Sequence, residues 1–132
     1  MARLVLGIDP GTTLVGYGVL EFNHDQLKTV DYGVIQIKKN DTFPIRLQHI
    51  YREITDLLKH IHPDVVAVEE VYVSQNAKTT LRLGHARGVI LLAAVNENVP
   101  ICEYAPREIK QAVCGNGSAS KEQIQWMVAK RL

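Results

Sequence analysis

In the N-terminal third of the chain, apolar residues fall in short alternating runs rather than at helical spacing. Leu4 to Asp9, Gly16 to Phe22 and roughly Thr29 to Ile37 read as three strands, linked by a Gly-Thr-Thr turn and the polar segment Asn23-His24-Asp25-Gln26. Links this short favour an antiparallel meander. The period then changes. Pro44 stands where a first helical turn tolerates it, and Leu47, Ile50, Ile54, Leu57, Leu58 and Ile61 recur at helical spacing until Pro63. Val65 to Glu69 is a fourth apolar strand, reached through a helical crossover and so expected to lie parallel to an earlier strand.

A second helix is predicted from about Ala77 to Asn96, with Gly84 and Gly88 four apart on one face. Glycines so placed imply close approach of another backbone, either the sheet or a second helix across a two-fold axis. Val99 to Tyr104 reads as a fifth strand, Pro106 opens a short helix to about Val113, and Gly115-Asn116-Gly117 reads as a loop. Ser120, with Gln123 three residues on, resembles a capping box opening a last helix that carries Ile124, Met127 and Val128 on one face. That helix reaches Leu132 without a Gly or Pro stop signal, as an interrupted helix would. The order β-β-β-α-β-α-β-α-α predicts an α/β fold: a five-stranded mixed sheet, its first three strands antiparallel, flanked by helices.

At 132 residues and 46% hydrophobic content, the chain fits one domain with its own core. Net charge is only +1, so nothing in the total announces a polyanionic partner. The distribution is more informative: from Val71 to Asn96 there is no acid while Lys78, Arg82 and Arg87 are present, and from Ile109 to Lys121 the only charges are Lys110 and Lys121. Taken alone, such clusters also describe ordinary solvated helix faces. Cys102 and Cys114 form no CxxC pattern, which fits a reduced, cytoplasmic setting, and neither a targeting signal nor a membrane-length apolar run is visible. His60 and His62 fall at a helix end, where imidazole helps to solvate terminal carbonyls, and are read as structural rather than as metal ligands.

Two carboxylates remain. Asp9 closes the run Leu4-Val5-Leu6-Gly7-Ile8 and is followed at once by Pro10-Gly11-Thr12-Thr13, so it stands at the mouth of a strand. It could cap that turn, or hold a metal ion or phosphate. Glu69 closes the fourth strand in the same way, and if the first and fourth strands are neighbours the two acids meet at one sheet edge. Hard oxygen ligands on a rigid frame suit Mg²⁺, and two such ions can activate water and stabilise a leaving oxygen in phosphodiester hydrolysis. Glu70 alternates to the other face and is expected to be exposed.

The segments Gly7-Ile8-Asp9-Pro10-Gly11-Thr12 with Gly16-Tyr17-Gly18, Ala67-Val68-Glu69-Glu70-Val71-Tyr72, Asn76-Ala77 leading to Leu83-Gly84-His85-Ala86-Arg87-Gly88, and Gly115-Asn116-Gly117-Ser118-Ala119-Ser120-Lys121 resemble, in order and spacing, the bacterial Holliday-junction resolvase family RuvC. Any one of these motifs is weak, and the four together, spread over essentially the whole chain, are highly specific. The resemblance implies a single RNase H-like nuclease domain over residues 1–132, a homodimer, dependence on Mg²⁺ or Mn²⁺ with two ions per site in the full-length protein, and paired symmetric nicks in four-way junction DNA. It also implies a branch-migration motor complex as partner. Carried over, Asp9 and Glu69 would be catalytic metal ligands, and Tyr72 an aromatic that stacks on bases near the junction centre, unless it simply packs on the core. Lys110 and Lys121 would contact DNA or the scissile phosphate, and Arg82 and Arg87 would be backbone contacts, with Arg87 alternatively a structural pair.

One departure stands out. The family's remaining acids come as Asp-x-x-Asp or Asp-x-x-His at the start of a further helix, and residues 123–132 contain no acid. The expectation is therefore a chain lacking the family's final helix, which binds junction DNA and cleaves it poorly. Two other readings compete: a resolvase-like module kept only for binding, and one lobe of an actin-like ATPase, whose phosphate loop Asp-Pro-Gly-Thr-Thr also resembles.

Overall fold

The structure, a computed structural model, describes residues 3–23, 26–71 and 73–104. The helices and loop expected beyond Tyr104, and with them Lys110, Cys114 and Lys121, lie outside these residues, as does Tyr72. The described elements are β1 (Arg3–Asp9), β2 (Leu14–Asn23), β3 (Gln26–Gln36), α1 (Phe43–Ile61), β4 (Val65–Glu69), α2 (Ala77–Asn96) and β5 (Ile101–Tyr104). They form one five-stranded sheet in the order β3-β2-β1-β4-β5. As the short links require, β1–β2 and β2–β3 are antiparallel, whereas the helical crossovers make β1–β4 and β4–β5 parallel.

Strand alternation divides the sheet into two unlike faces. Leu6 and Ile8 of β1, Val15 and Val19 of β2, and Val66 and Val68 of β4 point to the helices and form one buried cluster with Ile50, Ile54 and Leu58 of α1 and Ala86, Ile90, Ala93 and Ala94 of α2. The small residues on α2 let that helix sit close to its neighbours. The other face carries Val5, Gly7, Asp9, Gly16, Gly18, Ala67 and Glu69, as the register of the same strands dictates.

Local chemistry explains the boundaries. Pro44 lies in the first turn of α1, and the helix ends on His62, which adopts the left-handed conformation (φ 52) and donates its N–H to the Leu58 carbonyl at 2.9 Å just before Pro63. His60 is exposed on the last turn, where a basic group suits the helix dipole. Asn76 caps α2 by accepting from the Thr79 N–H at 3.2 Å. At the opposite end of the sheet, Asp64 takes the Leu4 N–H on its carboxylate at 2.7 Å and returns its own N–H to the Leu4 carbonyl at 2.9 Å, locking β1 beside β4. Tyr17 lies across Gly33 on the edge strand, its hydroxyl 2.7 Å from where a Cβ would stand, so the aromatic ring covers what the glycine leaves open.

Two expectations are corrected. The first three strands extend further than the alternation suggested, because the β2–β3 ribbon keeps pairing through Leu14↔Gln36 and Asn23↔Gln26, whereas β5 starts two residues later, after Pro100. Gly84 and Gly88 do not admit the sheet to α2: nothing among the described residues comes within 4 Å of a Cβ built at either, and both are exposed.

Candidate active site

The parallel register Val5↔Val65, Leu6↔Val66, Gly7↔Ala67, Ile8↔Val68, continued by one residue, places Asp9 beside Glu69 at the C-terminal ends of neighbouring strands. Paired positions on parallel strands share a face, so both carboxylates stand on the side away from α1 and α2. Both are half-buried, whereas Glu70 alternates away and is exposed. Chemistry gathered at the carboxyl ends of strands is the usual arrangement of α/β sheets.

The surroundings of the pair are low and open. Across β2, Asp9 faces Gly16, and the next row back is Gly7 facing Gly18, with Ala67 on β4. Three glycines and an alanine give this face a nearly flat floor, which lets another backbone approach closely. Farther out, Tyr32 and Val34 of β3 stand opposite Gly18 and Gly16 on the same face and are exposed at 78% and 59%. The turn after Asp9 is constrained as well, because a Cβ on Gly11 would run into the Leu14 carbonyl. Ile37 donates to the Thr13 carbonyl at 2.8 Å, so the end of β3 is tied to this turn.

Arg87 anchors the main chain of the strand end that carries the other acid. From α2, its Nε donates to the Glu69 carbonyl at 3.1 Å and its Nη2 meets Glu103 Oε1 of β5 at 2.6 Å, with the arginine side chain only 16% exposed. The structural pairing left open in the sequence is thus what the fold contains. Burial, and secondarily the neighbouring Glu103 charge, pushes the Cys102 thiol up, which disfavours a reactive thiolate beside the site.

Arg82 lies on α2 with its guanidinium 5.1 Å from the centroid of Phe43. The same ring takes Arg46 at 5.2 Å and the edge of His85 at 5.9 Å. Neither Phe43 nor Arg46 stands out in the sequence, although a charged residue one turn ahead of the stripe Ile50, Ile54, Leu58 was a usable signal. Likewise missed was the Ser74–Asn76–Thr80 network: the Ser74 and Thr80 hydroxyls are 3.0 Å apart, and both bond the Asn76 carbonyl, which orders the approach to α2 from β4. Among the described residues no group of three or more His, Cys, Asp or Glu side chains converges.

Comparison with known proteins agrees with this geometry. Residues 5–132 match the family described as crossover junction endodeoxyribonuclease RuvC. Proteins of that name from Desulforamulus reducens and Moorella thermoacetica are 45% and 47% identical over 125 residues, 95% of this chain in each case and 77% and 75% of the relatives. Among solved structures, RuvC of T. thermophilus in complex with a Holliday junction substrate aligns with a TM-score of 0.80 at 31% identity, covering 98% of this chain and 79% of that one. A yeast mitochondrial Holliday junction resolvase (TM-score 0.65, 15% identity, 98% of this chain, 64% of that one) shares the fold alone. Identity at this level over nearly every residue, together with the order of strands and the two register-matched acids, leaves one assignment: the chain belongs to the crossover junction endodeoxyribonuclease RuvC family.

Proposed function

We infer that this protein acts on four-way DNA junctions as a metal-dependent endodeoxyribonuclease, with Asp9 and Glu69 as its metal-binding catalytic acids. The observation that carries the reading is their register: two half-buried carboxylates side by side on one face at the ends of parallel β1 and β4. The donor set fits a hard divalent cation, Mg²⁺ or Mn²⁺, because both ligands are carboxylate oxygens and the glycines beside them leave room for water and phosphate oxygens. When bound, such an ion acidifies a coordinated water and offsets negative charge on the reacting phosphate. The chain's own part is to hold both carboxylates on rigid strand ends and to present a floor flat enough for a DNA backbone.

Lys110 and Lys121 are assigned to DNA or scissile-phosphate contacts, Tyr72 to base stacking, and Arg82 to the DNA backbone. Arg87 is a positioning residue for Glu69, on the bonds described above. A branch-migration motor is the expected partner on the junction, and the cytoplasm the expected site of action. Electrophoretic binding and cleavage assays on a mobile four-way junction with Mg²⁺ test the core of this reading. Structure-selective binding with Mg²⁺-dependent nicking is expected; junction affinity no greater than for linear duplex would sink the assignment.

Homodimerisation is assigned to α2. Leu81, Gly84, Gly88, Leu92 and Val95 recur at three- and four-residue intervals on an exposed face, with Leu81, Leu92 and Val95 exposed at 64%, 52% and 59%. Open glycines on that stripe allow a second helix to approach closely. Gly88→Glu is predicted to weaken the dimer about a hundredfold in light scattering, because the two-fold would bring like charges together. Folding is preserved, since glutamate is the better helix former and the position has open space around it. A Gly88→Glu protein that remains dimeric at wild-type concentrations would move the interface elsewhere.

A further inference from the structure

The core-facing stripe of α1 is apolar at three successive turns, where Ile50, Ile54 and Leu58 are buried, and charged at the fourth, where Arg46 is only 8% exposed. The Arg46 Nε is buried without a hydrogen-bond partner, and no carboxylate among the described residues forms an ion pair with this side chain. A desolvated guanidinium normally demands an anion, and the Phe43 ring beneath it, at 5.2 Å, offsets that need only in part. Arg82 lies over the same ring at 5.1 Å, so two like charges share one aromatic with no acid between them. Such an arrangement is stable chiefly when something negative joins it.

The placement says where that anion comes from. Side chains on a helix lean toward its N-terminus, so Arg46 leans toward the sheet edge at which β1 and β4 end. Both helices start from that edge, and neither has an acid in its first turn, so their positive ends add to the two guanidinium charges. A second copy seated on α2 has no carboxylate to offer from that region, because residues 71–96 contain neither Asp nor Glu. A planar guanidinium pair is, on the other hand, well matched to the oxygens of a phosphodiester. We propose that Arg46 and Arg82, gathered on the Phe43 ring, form a binding site for one backbone phosphate of the DNA, at the helix side of the carboxylate edge. Arg46 is the fixed, desolvated half of the site and Arg82 the half open to solvent. The proposal rests on the junction-binding function inferred above.

The test uses the whole 132-residue chain, with four-way junction binding followed by fluorescence anisotropy in EDTA across a series of salt concentrations. Arg46→Met and Arg82→Met, which keep the aliphatic stems, are each expected to bind about tenfold more weakly. Their plots of log affinity against log salt should be shallower than wild type by about one unit for each phosphate that is no longer neutralised. Arg46→Lys should recover the slope, being charged, and only part of the affinity, lacking the planar fork. Thermal unfolding controls for misfolding: Arg46→Met should melt no lower than wild type, since it removes an unpaired buried charge. If that variant fails to fold, Arg82→Met, half-exposed in the native protein, carries the measurement alone. Wild-type affinity and slope in the methionine variants would overturn the site while leaving junction binding intact. Loss of the dimer in light scattering, with DNA binding per protomer unchanged, would overturn it in favour of a protein interface. A wild-type chain that shows no junction binding would remove the underlying function and the site together.

Discussion

Asp9→Asn is expected to weaken Mg²⁺ binding by about a hundredfold or more and to lower the rate of junction nicking in parallel, while the protein stays folded and retains its affinity for DNA in EDTA. Removing a neighbour that merely orients a ligand already costs about ten- to a hundredfold in metal affinity, so removing the ligand's own charge should cost at least as much. Asparagine keeps the size and one carbonyl oxygen, which leaves the turn after β1 intact; Ile8 on the core face and the Gly11–Leu14 approach are untouched by the exchange. Glu69→Gln should behave alike, because it stands in the next register position on β4. The double variant should be little worse than either single one, since residues acting as one unit do not contribute additively. Calorimetric titration with Mg²⁺ and a nicking assay under single-turnover conditions check both. Metal affinity and nicking equal to wild type in Asp9→Asn would make Asp9 a turn cap, the alternative its position in the sequence leaves open.

That ambiguity shows what the sequence could and could not supply. Period-2 and period-3.6 patterning located every described element, and β4 and α2 have the predicted ends, because Pro63, Asn76 and the Glu69 boundary are strong local signals. The pairing of Asp9 with Glu69 was available only conditionally, through the crossover rule that makes β1 and β4 parallel; neighbourhood in the sheet is a tertiary fact. The roles of the arginines were legible only in part, through the structural pairing left open for Arg87. Arg46, Arg82 and Arg87 all sit on helices in acid-poor surroundings, and spacing alone gives no reason to separate them. Yet Arg46 lies buried over the Phe43 ring, Arg82 lies half-exposed over the same ring, and Arg87 is bonded to a strand end. Which of these a given arginine does depends on what faces it from another element. The glycines of α2 were ambiguous for the same reason, since close packing and an open face both favour residues without side chains.

Arg87→Met is expected to lower stability by about 2 kcal/mol. For a domain of this size that is a fall in melting temperature of roughly 5–10 °C. It should also weaken Mg²⁺ binding about tenfold, as loss of an orienting neighbour does. The two effects have different origins. At 2.6 Å the contact with Glu103 is short, but that carboxylate is 47% exposed, and a pair so open to solvent contributes at most about 1 kcal/mol. The larger share comes from the Nε bond to the Glu69 carbonyl, 3.1 Å long and made in the shelter of α2, whose loss leaves a part-buried acceptor without that donor at the residue carrying a metal-binding carboxylate. Glu103→Gln separates the terms: it removes the charge on β5, retains the bond to Glu69, and should cost under about 1 kcal/mol with Mg²⁺ affinity unchanged. Arg87→Lys keeps a cation for Glu103 but cannot make both contacts in the arginine geometry, so it should recover part of the melting temperature and little of the metal affinity. Thermal unfolding and Mg²⁺ calorimetry on the three variants decide the matter. If Arg87→Met instead melts like wild type and loses only salt-dependent affinity for junction DNA, Arg87 is a phosphate contact, and the placement of Glu69 depends on other bonds.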